Sequence, residues 1–439
     1  MHKVIDVIGI GIGPFNLSLA TLLQNKDCGL TSAFFEKKES FSWHDGMLMP
    51  DTTLQVPFLA DLVTMVEPTS RFSFLNYLIE TKKIFQFYFR ESFFLPRLEY
   101  NDYCRWVCEQ LDNLYFGYHV KSVKAIAEGF SVVVTCHGVE KSYDCKNLVI
   151  GVGTTPTIPS CTLEANQLYP DKCFHSSVFM HQYEKLCQDK QANIVLVGSG
   201  QSAGEIFYKL IDDNEFTNIS WVTRAEGFFP MEYTPLALEH FSPNYTDYFY
   251  DLLPQKKQQL LQKQGLLYKG INAQLLKQIY DKLYQRCLTP SEYNVKLMPN
   301  LALHEILASP IEPDNRHKFI CNFYHNHTTV PVSLQADYLI LATGYKSQEP
   351  QFLSAIQSDI ARDSLGHYEI NRDYEVSYHN PLSQGRIFAQ NMEFHSHGVG
   401  TPDLGLGAYR AATIINNIIG KDIYPLNHCR TFQTFQCVG

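Results

Sequence analysis

Two segments of the chain share one grammar, and together they restrict the fold more than any other feature. Val4-Ile5-Asp6-Val7-Ile8-Gly9-Ile10-Gly11-Ile12-Gly13 is a β-rich run ending in glycines, and Asn16 to Gln24 follow with helical apolar spacing. Asn193-Ile194-Val195-Leu196-Val197-Gly198-Ser199-Gly200 repeats the device, with Gln201 to Leu210 as its helix. Strand, glycine turn and helix open a βαβ unit whose bare turn admits a pyrophosphate, and the helix N–H groups meet its charge. The candidates are Gly9, Gly11, Gly13, Pro14 and Phe15 at the first turn, and Gly200, Gln201 and Ser202 at the second. Two such openings predict two dinucleotide sites on two domains.

The two units end differently. Ser32-Ala33-Phe34-Phe35-Glu36 reads as the second strand of the first unit, and Glu36 stands where a ribose hydroxyl is held. Ser220-Trp221-Val222-Thr223-Arg224 is the corresponding strand of the second unit and ends in a cation. Arg224 suits a 2′-phosphate, so NADPH is expected there in preference to NADH.

Asn147 to Gly153 and Ala336 to Tyr345 are apolar strands running into small-residue turns, and both read as crossings between nested domains. Residues 231–285 turn helical and aromatic, with Tyr245, Tyr248, Phe249 and Tyr250 and then Gln259 to Leu267. The expected fold class is therefore α/β, with two nested Rossmann-like domains and a small helical substrate region. The first dinucleotide domain takes 1–165 and 347–439, the second takes 166–230 and 286–346, and 231–285 is the substrate region.

Composition excludes several classes. The charge of 36 − 45 = −9 and a pI near 6.0 argue against nucleic acid or an anionic membrane as partner. No run of eighteen apolar residues spans a bilayer, and the N-terminus reads as a first strand, not a secretory signal. Twelve cysteines without a CxxC indicate thiols in a reducing cytoplasm, and no Cys/His spacing suggests a metal. The missing cysteine pair also argues against a disulfide reductase.

From Gly11-Ile12-Gly13-Pro14-Phe15-Asn16-Leu17-Ser18 onward, the chain resembles the flavin-dependent N-hydroxylating monooxygenases of siderophore biosynthesis. The likeness runs nearly end to end through Phe41-Ser42-Trp43-His44-Asp45-Gly46-Met47, Leu54-Gln55-Val56, Phe72 to Leu78, Gly198 to Ala203, Ala342-Thr343-Gly344-Tyr345 and His397-Gly398. The resemblance implies FAD in the first domain and NADPH in the second. NADPH reduces the flavin, O₂ adds at C4a, and the hydroperoxide passes its distal oxygen to a neutral primary amine. It also implies roles for particular residues. Gln55 and His397 are the catalytic candidates beside the flavin, and Trp43, His44, Thr343, Gly344, Gly398 and Val399 help to hold cofactor. Arg97 and Arg224 are the two NADPH-contacting arginines. A homodimer or homotetramer is expected by the same analogy.

The departures concern the substrate. Amino-acid-hydroxylating members of that family carry Phe-Leu-Lys-Asp-Leu where this chain has Phe58-Leu59-Ala60-Asp61-Leu62, and their Lys pairs with the substrate's α-carboxylate. Ala60 has nothing to offer a carboxylate, and a buried charge without its partner costs about 3–5 kcal/mol. Two further polar anchors of ornithine-specific members align with Leu238 and Tyr268. The expected substrate is a primary amine without an α-carboxylate: histamine, putrescine or cadaverine. Glu239 or Asp403 would hold a far ammonium, while Tyr268, His240 or Phe241 would suit an imidazole, with Gly400 beside them. A lysine or ornithine hydroxylase, a sulfur- or carbon-oxidising flavin monooxygenase and a non-catalytic flavin sensor are the alternatives.

Overall fold

A computed structural model describes residues 4–25, 28–212, 216–288, 294–308, 319–426 and 430–436. Strand β1 (Ile5–Ile10) lies at the centre of the first sheet, flanked in parallel by β2 (Ser32–Glu36) and by Val139–Ile150. Its side chains are buried on both faces, Val7 and Ile8 completely, which is why it reads as a continuous apolar run and not an alternating one. Arg386–Ala389, from the far end of the chain, adds in parallel beside Val139–Ile150, so both ends of the sequence build one sheet. Helix α1 (Pro14–Asn25) starts with proline at its first position and packs against Gly407–Ile419, burying Leu17, Leu19, Leu22 and Leu23.

The second sheet is parallel throughout, in the order Cys173–His175, Tyr338–Leu341, Asn193–Val197, Asn218–Val222, Asn294–Met298. Trp221 is fully buried there, with its ring 4.4 Å from Phe207 and 4.2 Å from Phe228. The strand written as Ser220 to Arg224 stops at Val222, and Thr223 and Arg224 lie just past its end.

The two crossings run side by side, Thr155–Pro156 pairing antiparallel with Tyr345–Lys346. Between Asn218–Val222 and Asn294–Met298 the chain inserts helices, among them Pro243–Tyr250, Pro254–Lys263, Gly265–Tyr268 and Ala273–Cys287. The segment from Gln259 to Leu267 spans two of these helices, which meet at Gln264, whose side chain donates to Tyr245 Oη. Cys104, Cys136, Cys145, Cys173 and Cys321 are buried free thiols. Among the described residues, no helix is long and apolar enough to cross a membrane.

Candidate active site

The first glycine turn is shaped by close approach. Gly11 has φ +89°, and a Cβ there would lie 2.5 Å from the Gly151 carbonyl oxygen. A Cβ on Gly13 would meet no protein atom within 4 Å, so the turn presents bare backbone to an open cradle. The Ile12 N–H donates to Glu36 Oε2 at 3.0 Å, bringing that carboxylate to the rim. Buried Asn16 donates to the carbonyls of Ile10 and Gly11 and accepts from Gln390 at 2.7 Å, locking strand to helix. This open cradle, with an acid at its edge, fits FAD. Gly13→Ala is expected to lower FAD occupancy by filling the cradle, read from the flavin-to-protein absorbance ratio. Gly9 also has a packing duty, since a Cβ there would fall 2.2 Å from the Phe34 ring.

The second turn repeats the design. Gly198 has φ +137° with Ala342 O 2.1 Å from its would-be Cβ, while Gly200 faces open space. Trp221 Nε1 donates to the Gly198 carbonyl at 2.7 Å and fixes the turn. Arg224 stands exposed beyond the neighbouring strand, and its carbonyl accepts from Asn326. The bare turn, facing open space at Gly200, fits the pyrophosphate of NADPH. Arg224→Ala should raise the KM for NADPH about tenfold and leave that for NADH unchanged, as steady-state kinetics would show.

A cavity of about 300 Å³ lies between the two domains and the inserted helices. Nine predicted residues line it: Trp43, His44, Gln55, Arg97, Gln201, Ser202, Phe241, Tyr268 and Asp403. Met231, Tyr233 and Tyr345 join them. The Trp43–Met47 segment sits directly on the second domain, since a Cβ on Gly46 would fall 1.9 Å from Ser177 O. His44 adopts φ +53° beside Trp43, and burial, aided by Arg97, lowers its pKa to about 4, so the ring is neutral. Arg97 is not available to a ligand carboxylate: it grips buried Glu205 in a bidentate pair at 2.9 and 2.8 Å and also donates to Met47 O. The Asp403 carboxyl accepts from the Gly405 N–H at 2.7 Å, and burial pushes its pKa up to about 6. Burial and this same carboxylate push the Tyr233 phenol up to about 12. The cavity therefore holds one acid, aromatic walls and a cation already neutralised.

Several expected site residues lie elsewhere. Glu239 accepts the backbone N–H groups of Phe432 and Gln433 at 2.7 and 2.9 Å and so anchors the C-terminal tail. His240 donates from Nδ1 to Ala237 O and packs between Tyr245 and Phe435, while Leu238 faces solvent. Ala60 is buried behind the turn carrying Asp403, near Gly405, and does not reach the cavity. His397 does not line this cavity. Its ring stacks on Tyr374 at 4.5 Å, with Ser396 Oγ at 2.9 Å from Nδ1, and burial drives its pKa to about 3. Gly398 (φ +82°) lets that chain turn pass against Phe249, Val399 is buried with Phe249 and Leu267, and Gly400 meets Leu406. Thr343 and Gly344 belong to the crossing: Thr343 Oγ1 donates to Thr157 O, and Gly344 O meets the Thr157 N–H and His175 Nε2.

Sequence reasoning passed over Glu205, Asn272, Glu393 and Arg410. Arg410 is the one charged residue of the Gly407–Ile419 helix, the signal that marks a buried partner. Its partner is Glu393, at 3.0 Å, with side chains 1% and 0% exposed.

Two nested dinucleotide-binding domains, two bare glycine turns and a shared cavity define a flavin- and NADPH-dependent monooxygenase. The chain belongs to the L-lysine 6-monooxygenase/L-ornithine 5-monooxygenase family, which it matches over residues 3–347. It is similar to a putrescine N-hydroxylase of Shewanella oneidensis, 42% identical over 99% of this chain and 84% of that one. A second putrescine N-hydroxylase, of Acinetobacter baumannii, is 38% identical over 99% of this chain and 94% of its own. Among solved structures, the FAD-bound cadaverine monooxygenase DfoA of Erwinia amylovora superimposes with a TM-score of 0.92 at 37% identity. That match covers 100% of this chain and 99% of DfoA's.

Proposed function

We propose that the protein N-hydroxylates one end of a terminal diamine, putrescine or cadaverine, as a step in siderophore assembly. The observation that carries this reading is the charge of the cavity: Asp403 is its acid, and its lining cation, Arg97, is spent on Glu205. A far ammonium gains a partner in Asp403, whereas an α-carboxylate finds none. Of the imidazole candidates, His240 packs on Phe435 of the tail and does not line the cavity, which leaves Asp403 and a far ammonium as the better-matched pair. The relatives named above act on the same class of amine.

Each residue's task follows from the physics of the amine. An alkylammonium has a pKa of about 10.4 in water and has no lone pair to offer. Asp403 pairs with one end and stretches the chain so that the other lies between Tyr233, Phe241 and Tyr268. Those walls strip water from the second nitrogen and favour its neutral form. Gln55 presents its side-chain amide toward the same space. Bound FAD, reduced by NADPH, supplies the activated oxygen that this nitrogen receives.

An assembly of two or four copies is part of this proposal, and the exposed run Phe85, Tyr88, Phe89 and Phe93 supports it. A cytoplasmic setting is in keeping with the buried free thiols. The test is direct. Putrescine or cadaverine added to the yellow holoenzyme should accelerate NADPH consumption and yield the mono-N-hydroxylated diamine, and NADPH loss without that product for both would refute the proposal.

A further inference from the structure

Gln55 lies on the Thr53–Pro57 strand of the first domain, yet its side chain is held from the inserted helical region. Asn272, the residue preceding helix Ala273–Cys287, donates from Nδ2 to Gln55 Oε1 at 2.9 Å. The directions of these bonds are forced. Asn272 Oδ1 already accepts the N–H groups of Gln274 and Leu275, at 2.9 and 3.2 Å, as the cap of its helix. Only Nδ2 remains to face Gln55, so the atom it meets must be the acceptor Oε1. Gln55 Nε2 accordingly turns to Thr53 O at 3.2 Å. The Asn272 N–H also donates to Gln201 Oε1 at 2.8 Å, and Gln201 Nε2 donates to Glu205 Oε1 at 2.9 Å, on the carboxylate that grips Arg97. One chain of hydrogen bonds thus joins Gln55 to the second glycine turn and to Arg97, and three of its members line the cavity.

We propose that Asn272 is a positioning residue: it sets which face of the Gln55 amide the cavity receives, and it ties that choice to the NADPH-side turn. The inference rests on the proposed placement of Gln55 beside the flavin. Without the Nδ2 donor the amide is free to rotate, and productive oxygen transfer competes less well with unproductive loss of oxidant.

Asn272→Asp isolates this role, because aspartate caps a helix as well as asparagine but offers Gln55 no donor. Asn272→Ser is the second variant, keeping a cap with a side chain too short to reach. Both are compared with Gln55→Ala and with the Gln55→Ala/Asn272→Asp double variant as FAD-loaded enzymes. The readouts are hydroxylamine formed per NADPH, the visible circular dichroism of the oxidised flavin, and the thermal midpoint. The expected result is an unchanged midpoint, a flavin spectrum displaced as in Gln55→Ala, and uncoupled turnover raised about fivefold, the scale of one hydrogen bond. The double variant should be no worse than Gln55→Ala alone. Wild-type coupling in both Asn272 variants while Gln55→Ala uncouples, or effects that add in the double variant, would overturn the inference. Wild-type coupling in Gln55→Ala would instead overturn the placement of Gln55 on which it rests.

Discussion

Asp403→Asn is expected to raise the KM for putrescine or cadaverine about 30-fold while leaving that for a simple alkylamine nearly unchanged. The substitution keeps the shape of the side chain and its hydrogen bond from the Gly405 N–H, and removes only the charge. A charge-assisted hydrogen bond is worth about 2 kcal/mol, hence the factor. The pH dependence follows the same logic. Burial raises the Asp403 carboxyl to about 6, so it is ionised and able to pair with an ammonium above that pH. As pH falls through 6 it takes up a proton and the anchor is lost. The wild-type KM should therefore climb below pH 6 toward the variant's, while the variant's stays flat across that window. Steady-state kinetics from pH 5 to 8 on both proteins would check the two slopes together.

Arg410→Met should cost about 3–5 kcal/mol of stability, the largest loss expected of any substitution considered. The pair it breaks is almost wholly enclosed: Glu393 has burial raising its carboxyl pKa, and Arg410 is the charge that opposes the shift. Left alone, Glu393 would have to take a proton or admit water. Arg410 also lies over the Phe15 ring at 4.6 Å and donates to Thr401 O at 2.6 Å, so it braces the turn that carries Asp403. The thermal midpoint should fall by roughly 10 °C. Replacing both partners with methionine should restore much of it, because no buried charge is then stranded. A single variant as stable as wild type would mean that the pair is not the internal brace described.

How far the sequence revealed the protein depended on the range of the interactions involved. The glycine turns were readable because a close backbone approach demands glycine at fixed spacing, as at Gly11 and Gly198. β1 and Asn193–Val197 were readable because strands buried on both faces are written as unbroken apolar runs. The cavity was only partly readable, since its walls arrive from widely separated segments: Trp43, Gln55, Arg97, Gln201, Tyr268 and Asp403. Glu239 and Asp403 are alike as sequence. What separates them is the tail that docks on Glu239 through the N–H groups of Phe432 and Gln433. The surroundings of His397 were unreadable for a similar reason, since tertiary packing seats its ring on Tyr374. Gly9 carries a packing duty beside its place in the motif, because a Cβ there would meet the Phe34 ring.

Cadaverine, pentylamine and lysine present the same reacting end to the flavin and differ only at the far end. Hydroxylamine formed per NADPH, with kcat/KM, measured on these three for the FAD-loaded enzyme, isolates what the cavity recognises. The account predicts cadaverine first, pentylamine behind it by the loss of one ion pair, and lysine last. Lysine equal to or ahead of cadaverine would mean that some cation does greet the carboxylate, and the reading of the cavity would be wrong.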